Sequence, residues 1–153
     1  MLKVIACIAI LLTSMSAIAD KNNGVGVDTQ MKYYAINGAY KCLVFPFLKG
    51  EEQVLDMEVL GSAAMLITGD NDNKNIIMQI FTTSGEQTKM TLMPPLRLYR
   101  SSSALTSYMP IDKKLNKNRT YSLIVKASQM AYVINQGENG MNIIIDHCES
   151  VED

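Results

Sequence analysis

The sequence predicts an all-β fold, a single-domain antiparallel β-sandwich of about seven to nine short strands closed by one disulfide. Apolar and polar residues alternate over short stretches, and turn-forming residues interrupt these stretches about every 8 to 12 residues. No window longer than about ten residues shows sustained helical periodicity. A small β-barrel would show the same pattern and is the alternative architecture.

Residues 1–19 have the pattern of a cleaved secretory signal peptide. Lys3 provides a positive charge, Val4 to Leu12 form an unbroken apolar run, and small residues at 17 and 19 suit a signal peptidase. We expect cleavage before Asp20 and an exported protein, periplasmic or secreted. The apolar run is too short to span a bilayer and no later segment is as apolar, so no transmembrane segment is expected after cleavage.

The chain after the leader divides into three parts. Residues 20–30 are polar, contain glycine and show no apolar period, so we expect a flexible N-terminal arm. Residues 31–149 contain the alternating segments and form the predicted sandwich domain. Residues 150–153 form an acidic tail.

The first half of the domain alternates strands with clear turns. Residues 33–48 hold one or two strands around the Asn-Gly turn at 37–38, and further strands are predicted at 54–60 and 63–68. The polar segment 69–75 places carboxylates and amides at alternate positions, as calcium loops do. It lacks the glycine and the distal glutamate of an EF-hand, so a turn is the preferred interpretation.

The second half continues the pattern. A Ser-Gly turn at 84–85 joins two strands, and residues 120–127 show the strongest alternation, with Tyr121 and Leu123 on one face. The serine-rich segment 101–110 has no assignment. The strands predicted here are residues 76–83, 87–92, 96–100, 120–127, 130–134 and 141–148.

The part of the chain after the leader keeps two cysteines, Cys42 and Cys148, near its two ends. In an oxidising compartment an even count of cysteines indicates a disulfide. A redox pair is less favoured because the C-x-x-C spacing is missing. The predicted bridge ties the first major strand to the last.

Charge and histidine content restrict the possible functions. Without Lys3 the chain has 13 basic residues against 15 acidic ones and no basic cluster, which disfavours nucleic acid as a partner. His147 is the only histidine, so it is the only imidazole available as a catalytic base. In the last predicted strand it continues the face of Ile143 and Ile145, which predicts a partly buried rim position. We therefore predict a protein without enzymatic activity.

No cofactor or metal is predicted. Met90 and Met93 form an M-x-x-M pattern that, with His147, is a weak candidate for Cu(I). The methionines are scattered over apolar strand positions, which favours core packing instead. Asn118 begins an Asn-Arg-Thr sequence that is a glycosylation site only in a eukaryotic host.

Two functions fit these features. The leading hypothesis is an exported non-catalytic protein-binding module of an envelope, secretion or pilus-type assembly, acting through a sheet face, an open edge, its loops or the N-terminal arm. The alternative is a periplasmic or secreted carrier of a small apolar ligand or metal inside a β-barrel. The residues expected to line that barrel are Met57, Met78, Met90 and Leu123.

Overall fold

A computed structural model describes residues 23–30, 32–46, 58–112, 120–127, 129–137 and 142–151. Several predictions lie outside the described residues. They are the signal peptide 1–19, the segment 54–57 with Met57, the glycosylation site at Asn118 and the last two residues of the acidic tail.

The described part of the chain consists of β-strands and their connections, which confirms the all-β prediction. None of its residues belongs to a helix long and apolar enough to cross a membrane. The strands are β1 (Val25–Val27), β2 (Tyr33–Ala35), β3 (Gly38–Pro46), β4 (Gly61–Gly69), β5 (Asn73–Thr82), β6 (Thr91–Leu92), β7 (Leu96–Ser101), β8 (Thr106–Pro110), β9 (Thr120–Lys126), β10 (Gln129–Asn135) and β11 (Ile143–Ser150).

Eight of these strands form a closed antiparallel barrel. Strands β3, β4, β5, β7, β8, β9, β10 and β11 each pair with the next in this order, and β11 pairs with β3 to close the ring. The small barrel, which was the alternative prediction, is therefore the observed architecture rather than the sandwich. The reason is that the hydrogen-bonded ladder is continuous around the ring, so one sheet curls round to meet itself instead of splitting into two.

Side chains at alternate strand positions fill the interior of the barrel. Tyr108 and Tyr132 are the largest fully buried side chains, and both are 0% exposed. Other buried apolar residues of the same core cluster are Tyr40, Val44, Met65, Ile67, Ile76, Met78, Leu96, Leu123, Val125, Met130 and Ile145.

The N-terminal strands form a hairpin outside the barrel ladder. β1 pairs with β2, and Val25 and Ala35 are both buried within the core cluster. Gly24 lies against the side chains of Tyr40 and Met130. The prediction of a flexible arm is thus wrong for residues 25–27, because Val25 buries apolar surface that a free arm would leave in water.

One cation lies inside the barrel wall. Lys74 on β5 is 2% exposed, and its Nζ donates a hydrogen bond to Asn37 Oδ1 at 3.0 Å. Asn37 Nδ2 in turn donates to the carbonyl of Gly69 at 2.6 Å. Burial lowers the pKa of Lys74, and the nearby carboxylate of Asp70 opposes this shift.

Candidate functional site

The predicted disulfide is present and joins the two strands that close the barrel. Cys42 on β3 and Cys148 on β11 are bonded, with their Cα atoms 4.0 Å apart. They lie on neighbouring antiparallel strands. The bridge therefore fastens the pairing of the first and last strands of the ring.

A β-bulge lies directly at this bridge. Asp146 faces Leu43 and Glu149 faces Lys41, so Cys42 alone opposes the two residues between them, His147 and Cys148. Such a bulge adds one residue to one strand and shifts the alternation of the side chains that follow. The shift brings Cys148 to the face where Cys42 lies.

The same bulge turns His147 away from the core. Its φ of 50° lies in the left-handed region, and its side chain is 60% exposed. The prediction that His147 continues the inward face of Ile143 and Ile145 is therefore wrong, because the bulge breaks the alternation of side chains at His147. Its ring lies beside that of Phe45, with centroids 5.4 Å apart.

Asp146 is a nearly buried carboxylate beside this histidine. The residue is 3% exposed, Oδ1 accepts a hydrogen bond from the backbone N–H of His147 at 2.6 Å, and Oδ2 accepts one from Gln129 Nε2 at 2.8 Å. The imidazole Nδ1 of His147 lies 4.0 Å from Oδ2. Within the described chain, no serine, threonine or cysteine side chain is hydrogen-bonded to this imidazole, so the geometry lacks a nucleophile paired with a base.

A surface cavity of about 280 Å³ opens beside Asp146. Strands β10 and β11 supply most of its wall, and the bulge brings Asp146 and Glu149 into it together. We call it the bulge cavity. Its lining residues are Asn23, Gln129, Met130, Asp146, His147, Cys148 and Glu149.

A second cavity, of about 180 Å³, lies between the N-terminal hairpin and the barrel. Tyr33 and Tyr34 of β2 line it together with Tyr108 of β8. Burial raises the pKa of Tyr108 to about 12, an effect that the backbone of Ala35 opposes and the carboxylate of Asp72 reinforces.

In the described part of the chain, the nine-stranded sheet has a short edge at β6. On the side of β5 that faces away from β4, Asn73 and Lys74 pair with β7. On the same side, Ile77 and Met78 pair with β6. β6 has no partner on its other side among the described strands. We call this side of residues 91–92 the β6 edge.

Exposed apolar side chains accompany the β6 edge. Met90 is 69% exposed and Leu92 is 65% exposed. Leu92 pairs with Ile77, and Ile77 pairs with Leu66, so three apolar residues form a row across β6, β5 and β4 on the outer surface. This row is an apolar contact surface on an otherwise mixed exterior.

The structure does not bring together the residues considered for copper. Met93 is buried in the core whereas Met90 is exposed, and His147 lies on β11, which is not adjacent to β6. Within the described residues, no three His, Cys, Asp or Glu side chains form a group that could hold a metal ion.

The residues expected to line a carrier cavity are also separated. Met78 and Leu123 belong to the packed core, while Met90 lies on the outside.

In the polar loop 69–75, Asp70 Oδ1 accepts hydrogen bonds from the backbone N–H groups of Asp72 and Asn73 at 2.9 and 2.7 Å, as the turn interpretation expects. These two bonds, that from Asn73 first, lower the pKa of Asp70.

Sequence reasoning did not find Asp146, Gln129 or the exposure of Leu92. The Asp-His dipeptide at 146–147 is visible in the sequence, but nothing in the sequence indicates that a bulge lies at this point of the strand. Comparisons with known proteins provide no further guide: no family model, curated protein or solved structure matches this chain.

Proposed function

We propose that this chain is an exported, non-catalytic protein-binding module that pairs an extended segment of a partner protein with the β6 edge. The observation that carries the proposal is that, among the described strands, the outer side of β6 has no partner, whereas the eight ring strands close on themselves. A free edge offers backbone N–H and C=O groups that a second strand can pair with.

The hydrogen-bond pattern gives the direction of these groups. The N–H of Met93 donates to the carbonyl of Ile76 at 2.8 Å, and the register places Leu92 opposite Ile77. In antiparallel ladders, hydrogen-bonded and non-hydrogen-bonded pairs alternate. The backbone N–H and C=O of Leu92 therefore point away from β5, toward the free side.

The side chains around the edge favour an apolar partner segment. Met90 and Leu92 are exposed, and Leu92 continues the row formed with Ile77 and Leu66. Lys89 is the only charged residue between positions 87 and 93. Pairing there would form backbone hydrogen bonds and would also bury apolar surface. The burial would add about 25 cal/mol of favourable free energy per Å² of apolar surface removed from water.

Export and the absence of catalysis are parts of the same proposal. The leader pattern of residues 1–19 supports export, and the Cys42–Cys148 disulfide is compatible with an oxidising compartment. The single imidazole lies beside Asp146 without a paired nucleophile in the described part of the chain, which supports binding rather than catalysis.

The carrier hypothesis is the second candidate, because an eight-stranded barrel is wide enough either for packed side chains or for one small ligand. Here Tyr108 and Tyr132 occupy interior positions, which favours the packed alternative. Native mass spectrometry of the protein from its own host tests this point: a bound lipid-sized mass would favour the carrier.

Two substitutions at one position test the β6 edge. Leu92→Ala removes the exposed side chain but keeps the outward N–H, whereas Leu92→Pro removes both. We expect co-purification with the native partner to weaken with alanine and to be lost with proline. Both variants should retain the unfolding midpoint of the unmodified protein, because Leu92 is mostly exposed and its N–H points away from β5.

A photo-crosslinking amino acid gives the matched control. Placed at Leu92 it should capture a specific protein in the native envelope, whereas placed at Val151, which is similarly exposed but lies beyond β11, it should not. Equal capture at both positions, or full partner binding by Leu92→Pro, would overturn the proposal.

A further inference from the structure

Among the described residues, no lysine or arginine is paired with the buried carboxylate of Asp146. Its residue is 3% exposed, and its hydrogen-bond donors are an uncharged amide, Gln129 Nε2, and the backbone N–H of His147. Among the described residues, the imidazole of His147 at 4.0 Å is its only ion-pair partner within that distance. Buried carboxylates are otherwise paired with positive charge.

Two described lysines on the neighbouring strands do not supply that charge. Lys41 lies opposite Glu149 on β3, and Lys126 lies opposite Gln129 on β9. Both are exposed, and in the described structure neither approaches Asp146 or Glu149 within 4.0 Å. The wall of the bulge cavity thus contains one buried carboxylate and, in Glu149, one exposed carboxylate.

Asp146 also has unused acceptor capacity. A carboxylate offers about four lone-pair directions, and its two oxygens here accept one hydrogen bond each. Asp146 is one of the residues that line the bulge cavity, so a donor that enters the cavity lies beside this carboxylate.

We propose that the bulge cavity binds a guanidinium group, either that of a small free guanidine or that of an arginine side chain. Asp146 is the main ligand, Glu149 adds a second negative charge, and Met130 provides an apolar wall for the aliphatic stem. The site is separate from the β6 edge, and the inference does not rest on the proposed pairing with a partner strand.

The chemistry of the two cations favours guanidinium over ammonium as the ligand. A guanidinium is planar, presents five donors in a fixed fork and is more weakly hydrated than an ammonium, so it loses less on entering a partly closed cavity. The volume of about 280 Å³ is slightly below the range of drug-sized ligand pockets and suits a group the size of one side chain.

His147 provides a direct signal for the test, because it is the only histidine and lines the cavity. The purified disulfide-bonded protein is titrated with N-acetyl-arginine amide, with agmatine, and with N-acetyl-citrulline amide as a neutral analogue of the same shape. Imidazole proton shifts are followed by NMR. We expect saturable shifts with the first two compounds and none with the citrulline compound.

The two positively charged probes separate the possible sources of the ligand. Tighter binding of agmatine assigns the site to a small free guanidine. Tighter binding of the doubly blocked arginine compound assigns it to an arginine side chain of a protein. Either result supports a guanidinium site.

Asp146→Asn is the matched variant. Asparagine keeps an oxygen for the N–H of His147, and Gln129 can turn its amide to accept from the new NH₂, so folding should be retained. We expect about tenfold weaker binding, because a charge-assisted hydrogen bond is replaced by a neutral one. Glu149→Gln should weaken binding less.

Three results would overturn the proposal. They are the absence of a saturable shift with either guanidinium compound, equal shifts with the citrulline compound, and unchanged binding by a folded Asp146→Asn variant. A lysine compound that binds more tightly than the arginine compound would also contradict the preference for guanidinium.

Discussion

Cys42 and Cys148 are 106 residues apart in the sequence, yet their bridge joins neighbouring strands, β3 and β11, at the point where the barrel closes. The paired substitution Cys42→Ala with Cys148→Ala should lower the free energy of unfolding by about 2–5 kcal/mol, the usual effect of removing a native disulfide. Denaturant unfolding measures this loss. The unmodified protein in reductant should match the variant, and an unchanged midpoint in both would contradict the prediction.

His147 adopts a left-handed backbone conformation that L-residues other than glycine rarely adopt. His147→Gly should therefore be more stable than His147→Ala by about 1 kcal/mol, because alanine keeps the steric cost of this conformation and glycine does not. Comparing the two variants cancels the loss of the contact with Phe45. Equal stabilities in chemical denaturation would show that the bulge relaxes on substitution.

Tyr108 predicts a loss of stability at alkaline pH. Its folded pKa is raised to about 12, so between pH 10 and about 12 the native state keeps a proton that the unfolded chain releases. The stability that protonated Tyr108 contributes to the free energy of unfolding is therefore fully present below pH 10 and is lost as the pH rises through about 12. Burial raises the pKa of Tyr132 as well, which acts in the same direction.

Tyr108→Phe should reduce this alkaline loss, measured as unfolding free energy between pH 9 and 12 relative to the unmodified protein. Tyr99→Phe is the control, because Tyr99 is exposed on the outer surface. An equal alkaline loss in the Tyr108 variant and the unmodified protein would refute the assignment.

The burial of Lys74 predicts the opposite effect of pH, namely a stability that increases as the pH rises. Burial lowers its folded pKa below the unfolded value, so its burial costs stability at neutral pH and this cost is relieved as the pH rises toward 10.5. Lys74→Met should raise the free energy of unfolding by about 1–2 kcal/mol at pH 7. Asn37 is exposed, so water can replace its lost partner.

The pH series provides the check on this interpretation. The gain in Lys74→Met should shrink between neutral pH and about pH 10, whereas a gain independent of pH would indicate improved packing alone. A loss of stability in the variant would show that the hydrogen bond to Asn37 outweighs the cost of burying the cation.

Local patterns in the sequence predicted much of this fold. The alternation over 120–127 corresponds to β9, and the even cysteine count predicted the bridge of Cys42 and Cys148 correctly. Sandwich and barrel could not be distinguished, because both need the same alternation, and closure depends on which distant strands pair. Strand β8 was missed because its Thr-Ser-Tyr sequence buries two hydroxyl residues beside Tyr108.

The candidate sites were less predictable. The bulge cavity combines Gln129 with Asp146 and Glu149, which are neighbours only because β10 pairs with β11. The bulge opposite Cys42 reverses the expected side for His147, and a period-two pattern carries no sign of it. Similarly, the pattern of residues 87–92 predicts a strand but not that the outer side of Leu92 has no partner among the described strands.

The strands of the ring from β3 onward follow each other in chain order, so among the described ring strands only the pairing of β3 with β11 joins strands that are distant in the sequence. Contacts of this kind form slowly, since a long loop must be closed first. We therefore expect the two thiols to meet late in folding, after the intervening strands have paired. On this view, free thiols would distinguish incompletely folded chains from mature ones.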